Sequence, residues 1–144
     1  METYVFARPK EVLIIEDSST DTKMLLRALN QNNRRKNIIT SMDGDQAMNY
    51  LHKQQEGMKP DLIILDLNLP KKDGWEVLAE CKGDPALRAI PIVVFTTSQL
   101  GSEVRRCYEM GANSFVAKPF ELESFLNTIQ LIENYWLGVS APLG

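Results

Sequence analysis

Cysteine is scarce in this chain of 144 residues: there are only two, Cys81 and Cys107, far apart and each inside a helix-like segment. They form neither a metal-ligand spacing nor a disulfide framework, and read as reduced core thiols. Histidine is scarcer still, with His52 alone on a polar helical stretch, where an exposed side chain is the plain reading. A basic excess is missing too. Sixteen Lys and Arg against nineteen Asp and Glu leave a net charge of −3, without the electrostatic footprint of a nucleic-acid binder. The one basic cluster, Arg34-Arg35-Lys36, lies among Asn and Gln and reads as a solvated loop. The first ten residues lack the apolar stretch of a signal peptide, and no run approaches the ~20 apolar residues of a membrane span. These absences point to a soluble, cytoplasmic protein without nucleic-acid or membrane partners.

What is present is a regular alternation of short apolar runs and amphipathic segments. Val12-Leu13-Ile14-Ile15, Leu62-Ile63-Ile64-Leu65 and Ile92-Val93-Val94-Phe95 are continuous apolar runs. Such strands suit a parallel sheet covered on both faces. Ile38 to Met42 and Ser114 to Ala117 supply two weaker strands. Between them, Met24, Leu25, Ala28 and Leu29 form one helical stripe; Ala47, Tyr50 and Leu51 form a second, behind a capping-box-like Asp43 and Gln46. Trp75, Leu78, Ala79 and Lys82 mark a third helix, stopped by Gly83-Asp84-Pro85, and Val104, Cys107 and Tyr108 a fourth, stopped by Gly111. The fifth and longest runs from about Glu121 to Leu137. Five βα units in this order predict an α/β fold with right-handed crossovers. The expected partition is a tail over 1–10, one domain over 11–137 and a second tail over 138–144.

Polar residues end the strands. Glu16-Asp17 follow the first, Asp66 the third, Thr96 the fourth and Lys118 the fifth, and ligands of open α/β sheets sit outside these carboxyl ends. Any single Asp there reads as a turn or cap residue. Three acids held together repel one another and call for a cation. Glu16, Asp17 and Asp66 bring −3, which a magnesium ion and Lys118 would balance; magnesium takes oxygen ligands and keeps several waters. An aspartyl phosphate at Asp66 would take its charge from −1 to about −2 and recruit donors such as the Thr96 hydroxyl.

Over essentially its whole length the chain resembles the response-regulator receiver family. The resemblance is carried by Glu16-Asp17, by Leu65-Asp66-Leu67-Asn68-Leu69-Pro70, by Asp73-Gly74, by Thr96-Thr97-Ser98 and by Phe115-Val116-Ala117-Lys118-Pro119. It implies a doubly wound, flavodoxin-like five-stranded parallel sheet of order 2-1-3-4-5. It makes Asp66 the phosphoacceptor, with Asp17, Asp66 and the Asn68 carbonyl binding Mg2+ (or Mn2+) directly and Glu16 assisting. Lys118 and Thr96 would contact the phosphoryl group, Phe115 would be the aromatic that changes rotamer, and the Lys118–Pro119 bond would be cis. Leu69 stands where the family often has Met, and Phe115 where it often has Tyr, which removes a phenol hydrogen bond.

An enzyme reading is the runner-up, because haloacid-dehalogenase-type phosphatases also phosphorylate an Asp at a strand end. Those need a second Asp two residues on, and this chain has Asn68. A receiver-like scaffold that is never phosphorylated would be favoured by loss of Asp66, Asp17 or Lys118, and all three are present. The expected role is therefore a phosphoacceptor rather than an enzyme. With only 138–144 left beyond the last helix, output is expected through contact with a downstream protein target or phosphotransfer protein. The segment Asp66 to Gly74, with Ile90-Pro91 and Trp136-Leu137, is similar to phytochrome-linked single-domain receivers, which implies a light-regulated histidine kinase as donor.

The last helix carries more apolar surface than one sheet face requires. Leu122, Phe125, Ile129, Ile132 and Trp136 make the inward stripe; Leu126, Leu131, Tyr135 and Val139 are displaced around it, and Leu137, Ala141, Pro142 and Leu143 follow. The surplus is expected to be covered by the folded-back tail, covered by a second copy in a symmetric dimer, or left as a patch.

Overall fold

Side chains alternate faces along a strand, so a run that is apolar at every position must be covered twice. The computed structural model, which describes residues 9–54 and 58–141, meets that demand with helices on both sides of one sheet. The order is β1 (Lys10–Ile15), α1 (Ser19–Leu29), β2 (Lys36–Ser41), α2 (Gly44–Lys53), β3 (Leu62–Leu65), α3 (Gly74–Gly83), β4 (Ile92–Thr96), α4 (Gly101–Glu109), β5 (Ser114–Ala117) and α5 (Leu122–Glu133). All strand pairs are parallel, in the order β2-β1-β3-β4-β5. Most of the expected N-terminal tail and, at the other end, Pro142 and Leu143 lie outside the described residues.

The central strands divide their side chains between two cores. Leu13, Ile15, Ile63, Leu65, Ile92 and Val94 pack against α2, α3 and α4 through Ala47, Leu51, Val77, Leu78, Cys81 and Cys107. Their alternates Val12, Ile14, Leu62, Ile64, Val93 and Phe95 pack against α1 and α5 through Leu25, Leu29, Phe125 and Ile129. Phe95 meets Phe125 edge to face at 5.1 Å, a preferred aromatic geometry.

Several local expectations change. Ala79 is exposed, because α3 turns Gly74, Val77, Leu78 and Cys81 inward. Asp43 caps α2 by accepting from the Gln46 amide, but the Gln46 side chain accepts from Met42 N rather than closing the box. The full reciprocal box starts α3, between Asp73 and Glu76. On α5, Leu122 of the expected inward stripe is exposed while Leu126 of the outer set is buried, because the helix approaches the sheet along Phe125, Leu126, Ile129 and Ile132. Beyond Glu133 the chain continues in π geometry from Asn134 to Val139 and buries Leu137.

The basic cluster is not a solvated loop. Lys36 has a side chain only 4% exposed and pairs with the fully buried Glu133 carboxylate at 3.2 Å, while Arg34 reaches the same oxygen at 2.8 Å. Asn32 adds a hydrogen bond to Glu133 Oε1. An interior charge needs partners of opposite sign, and α5 supplies one that no local pattern announces. His52 is exposed as expected and lies 2.9 Å from Glu80.

Candidate functional site

Register brings the strand ends into line. Ile15 pairs with Leu65 and Thr96 with Ala117, so Glu16 and Asp66 leave the sheet side by side and Lys118 leaves it next to Thr96. Backbone bonds continue the ladder one step further: Asp66 N donates to Ile15 O at 3.0 Å, and Lys118 N donates to Thr96 O at 2.8 Å. Because these backbones are locked into the sheet, the side chains are aimed before any ligand arrives.

Close packing under the loop after β3 completes the placement. A Cβ on Gly74 would meet the Asp66 carbonyl oxygen at 2.3 Å and Leu67 Cα at 2.5 Å, so only glycine lets α3 start this near the acid. Asn68 N donates to Asp66 Oδ1 at 3.2 Å and fixes one side of that carboxylate.

Four of the expected groups converge. Glu16, Asp17 and Asp66 each place one carboxylate oxygen within 4.8 Å of the others; Asp17 is exposed, and Glu16 and Asp66 are buried. Lys118, also buried, donates to Glu16 Oε1 at 2.7 Å and to Asp66 Oδ2 at 2.8 Å. Thr96 is fully buried, and its hydroxyl has no hydrogen-bond partner among the described residues. Phe115 is half-buried on β5 and packs against the α2–α3–α4 core. The Lys118–Pro119 bond is trans, since no cis peptide occurs among the described residues. That corrects the expectation of a cis bond and follows the intrinsic trans preference of X–Pro bonds, about 0.5–1 kcal/mol.

One member was missed. Asp21, in the first turn of α1, accepts from Lys118 Nζ at 2.7 Å. Ser18 and Asp21 have capping-box spacing, and locally that pattern says only where a helix starts. The box is half made: Asp21 N donates to Ser18 Oγ, but the Ser18 amide is satisfied by Glu16 Oε2 instead. The Asp21 carboxylate is thereby left for Lys118.

Burial and charge pull against each other here. Burial pushes the Glu16 carboxyl up to about 7, with its hydrogen bond from Lys118 working the other way and the neighbouring Asp66 charge adding to the rise. Burial would lower the Lys118 pKa, but its hydrogen bonds to Asp21, Asp66 and Glu16 outweigh that and hold the ammonium charged. Four carboxylates against one ammonium leave the cluster at −3 when all are ionised. Three hard oxygen donors within 4.8 Å and a surplus of negative charge suit a small divalent cation. The unpartnered buried hydroxyl of Thr96, at the end of the neighbouring strand, suits an incoming oxyanion.

Comparison with known proteins decides the family. Residues 12–130 match the model of the response regulator receiver domain. The chain belongs to this family. Among curated proteins it is 42% identical over 132 residues to response regulator Rcp1 of Synechocystis, covering 90% of each chain. It is 38% identical over 132 residues to a probable methanogenesis regulatory protein, FilR2, of Methanothrix harundinacea, covering 90% of this chain and 85% of that one. Among solved structures, the Mn(2+)-bound form of Rcp1 superposes with a TM-score of 0.87 at 40% identity, covering 94% of this chain and all of that one. The phosphorylated cyanobacterial phytochrome response regulator RcpA does so with a TM-score of 0.89 at 37% identity, covering 94% of this chain and 99% of that one. The chain is thus a receiver-domain response regulator, and its sheet has the flavodoxin-like order of these relatives.

Proposed function

We propose that this receiver accepts a phosphoryl group from the phosphohistidine of a histidine kinase onto Asp66, and then signals by protein–protein contact. The observation that carries the reading is the Lys118 ammonium 2.8 Å from a buried Asp66 carboxylate, with two further acids within 4.8 Å and an unpartnered threonine hydroxyl at the end of β4. An Asp66 oxygen attacks phosphorus in line. The new P–O bond forms as the P–N bond to the kinase imidazole breaks, and the nitrogen leaves with the electron pair. Lys118 then donates to a phosphoryl oxygen, and the Thr96 hydroxyl moves to another. Phe115 follows Thr96, shifting the segment after β4 and α4. The chain is a phosphoacceptor that assists its own labelling and hydrolysis, and nothing in the site favours a phosphatase.

Glu16, Asp17 and Asp66, with the Asn68 carbonyl, are the groups that would hold Mg2+ or Mn2+. When bound, such an ion neutralises charge on the transferring phosphoryl group. The manganese-bound form of the relative Rcp1 supports this assignment. Similarity to RcpA supports a phytochrome-type, light-regulated kinase as donor. A downstream protein or phosphotransfer protein, rather than nucleic acid, would read the signal, within one receiver domain spanning 11–137. No helix among the described residues is long and apolar enough to cross a membrane, in keeping with a cytoplasmic setting. A second copy is the proposed partner for the outer face of α5.

Intact-mass measurement after treatment with phosphoramidate, with and without Mg2+, tests the reading. Wild-type protein should gain one phosphate only with the metal, and Asp66→Asn should gain none. Full labelling of Asp66→Asn would sink the assignment.

A further inference from the structure

An ammonium group has three N–H donors, and in Lys118 each meets a carboxylate: Glu16 Oε1 at 2.7 Å, Asp21 Oδ2 at 2.7 Å and Asp66 Oδ2 at 2.8 Å. Two of these acids belong to the proposed phosphoryl site. The third belongs to a different element, the first turn of α1, and its own amide is tied to Ser18 Oγ. Because Ser18 N is satisfied by Glu16, the Asp21 carboxylate is not drawn back to its helix cap. The Asp21 side chain is only partly exposed, at 23%, so water competes weakly for it.

We propose that Asp21 is a positioning residue of this receiver, holding the Lys118 ammonium at the phosphoryl site while Asp66 gives up its share of it. The inference rests on Asp66 being the phosphoacceptor. When Asp66 becomes an acyl phosphate, its negative charge passes to the phosphoryl oxygens, and the N–H that Asp66 accepted follows. A four-carbon side chain released by one of only two acceptors would gain much freedom. With Asp21 and Glu16 both retained, nitrogen stays on two anchors in two elements, and only one N–H changes partner. Preorganised donors of this kind avoid rearrangement during the reaction. Asp21 does not touch the reacting atoms, so its effect travels through Lys118.

The test compares wild type, Asp21→Ala and Asp21→Asn in labelling by phosphoramidate, as the maximal rate and the half-saturating donor concentration at saturating Mg2+. Asp21→Ala should lower the maximal rate about 10- to 100-fold, the scale on which small misplacements act. Asp21→Asn, which keeps a carbonyl acceptor, should recover most of it. A slowly exchanging Lys118 ammonium signal in nitrogen-15 NMR, assigned by its loss in Lys118→Met, should persist in wild type and Asp21→Asn and vanish in Asp21→Ala. An Asp21→Ala protein that labels at the wild-type rate with that signal intact would overturn the inference, even if its melting temperature falls. Faster labelling of both variants would also overturn it, making Asp21 merely a charge that repels the donor. Asp66→Asn in the same assay separates the two readings. If it labels, the phosphoacceptor assignment fails; if it does not and Asp21→Ala labels normally, only the role of Asp21 fails.

Discussion

Thr96 is buried with an unpartnered hydroxyl among the described residues, an arrangement that costs about 1–3 kcal/mol of desolvation. Replacing it with a shape-matched apolar group removes that penalty. Thr96→Val should therefore raise the stability of unphosphorylated protein by about 1 kcal/mol in urea denaturation. It should still label on Asp66, yet lose the conformational response, because labelling and switching use different groups. A destabilised Thr96→Val protein would show that the hydroxyl is satisfied in solution. The thiols make an opposite case. Burial pushes Cys81 up to about 12 and Cys107 up to about 11, from an ordinary 9.0. The folded chain keeps these protons at pH values where the unfolded chain has lost them. Their contribution to stability is full below pH 9.0 and is lost as pH rises through 11 to 12. Iodoacetamide at pH 8 should modify neither cysteine in native protein and both in urea; rapid native alkylation would contradict the burial.

Among the elements, α5 does two jobs. Its inner face covers the sheet, and its C-terminal turn brings Glu133 into the interior beside Lys36 and Arg34. Removing one partner of a buried pair leaves the other uncompensated, typically a loss of 3–5 kcal/mol for a truncated buried charge. Lys36 keeps bonds to Leu29 O, Asn32 Oδ1 and Arg34 O, so Glu133→Ala should cost about 3 kcal/mol, the low end of that range. Urea denaturation measures it. A loss below about 1 kcal/mol would place the network with weak surface pairs. The same network ties the loop before β2 to the end of α5.

At the scale of the whole molecule, the helix layers leave part of α5 and of the π-helical turn after it uncovered. Leu131 of α5 is 70% exposed, and Val139, in the turn that follows, is 74% exposed, with Tyr135 exposed between them. Closed two-fold pairs are the commonest way to cover such a face. Light scattering should find a dimer for wild type and a monomer for Leu131→Asp, each measured with and without phosphoramidate. A wild-type chain that stays monomeric at high micromolar concentration in both states would remove the second copy as partner.

Local patterning along the chain makes the elements and most of the site legible. Four-residue apolar runs at β1, β3 and β4 are legible because a strand buried on both faces leaves no polar position. Glu16, Asp17, Asp66 and Thr96 are legible because each follows such a run, and Lys118 because it closes the weaker strand β5; sheet register then aligns them. Contacts between partners distant in the chain emerge only when the elements pack. Asp21 meets Lys118 across 97 positions, and Arg34 meets Glu133 across 99. Read locally, the first is a helix-start acid and the second a loop cation, since periodicity and capping report only on neighbours within a few residues. Whether a charged side chain is solvated or buried is settled by the element that packs over it, and here α1 and α5 made that choice.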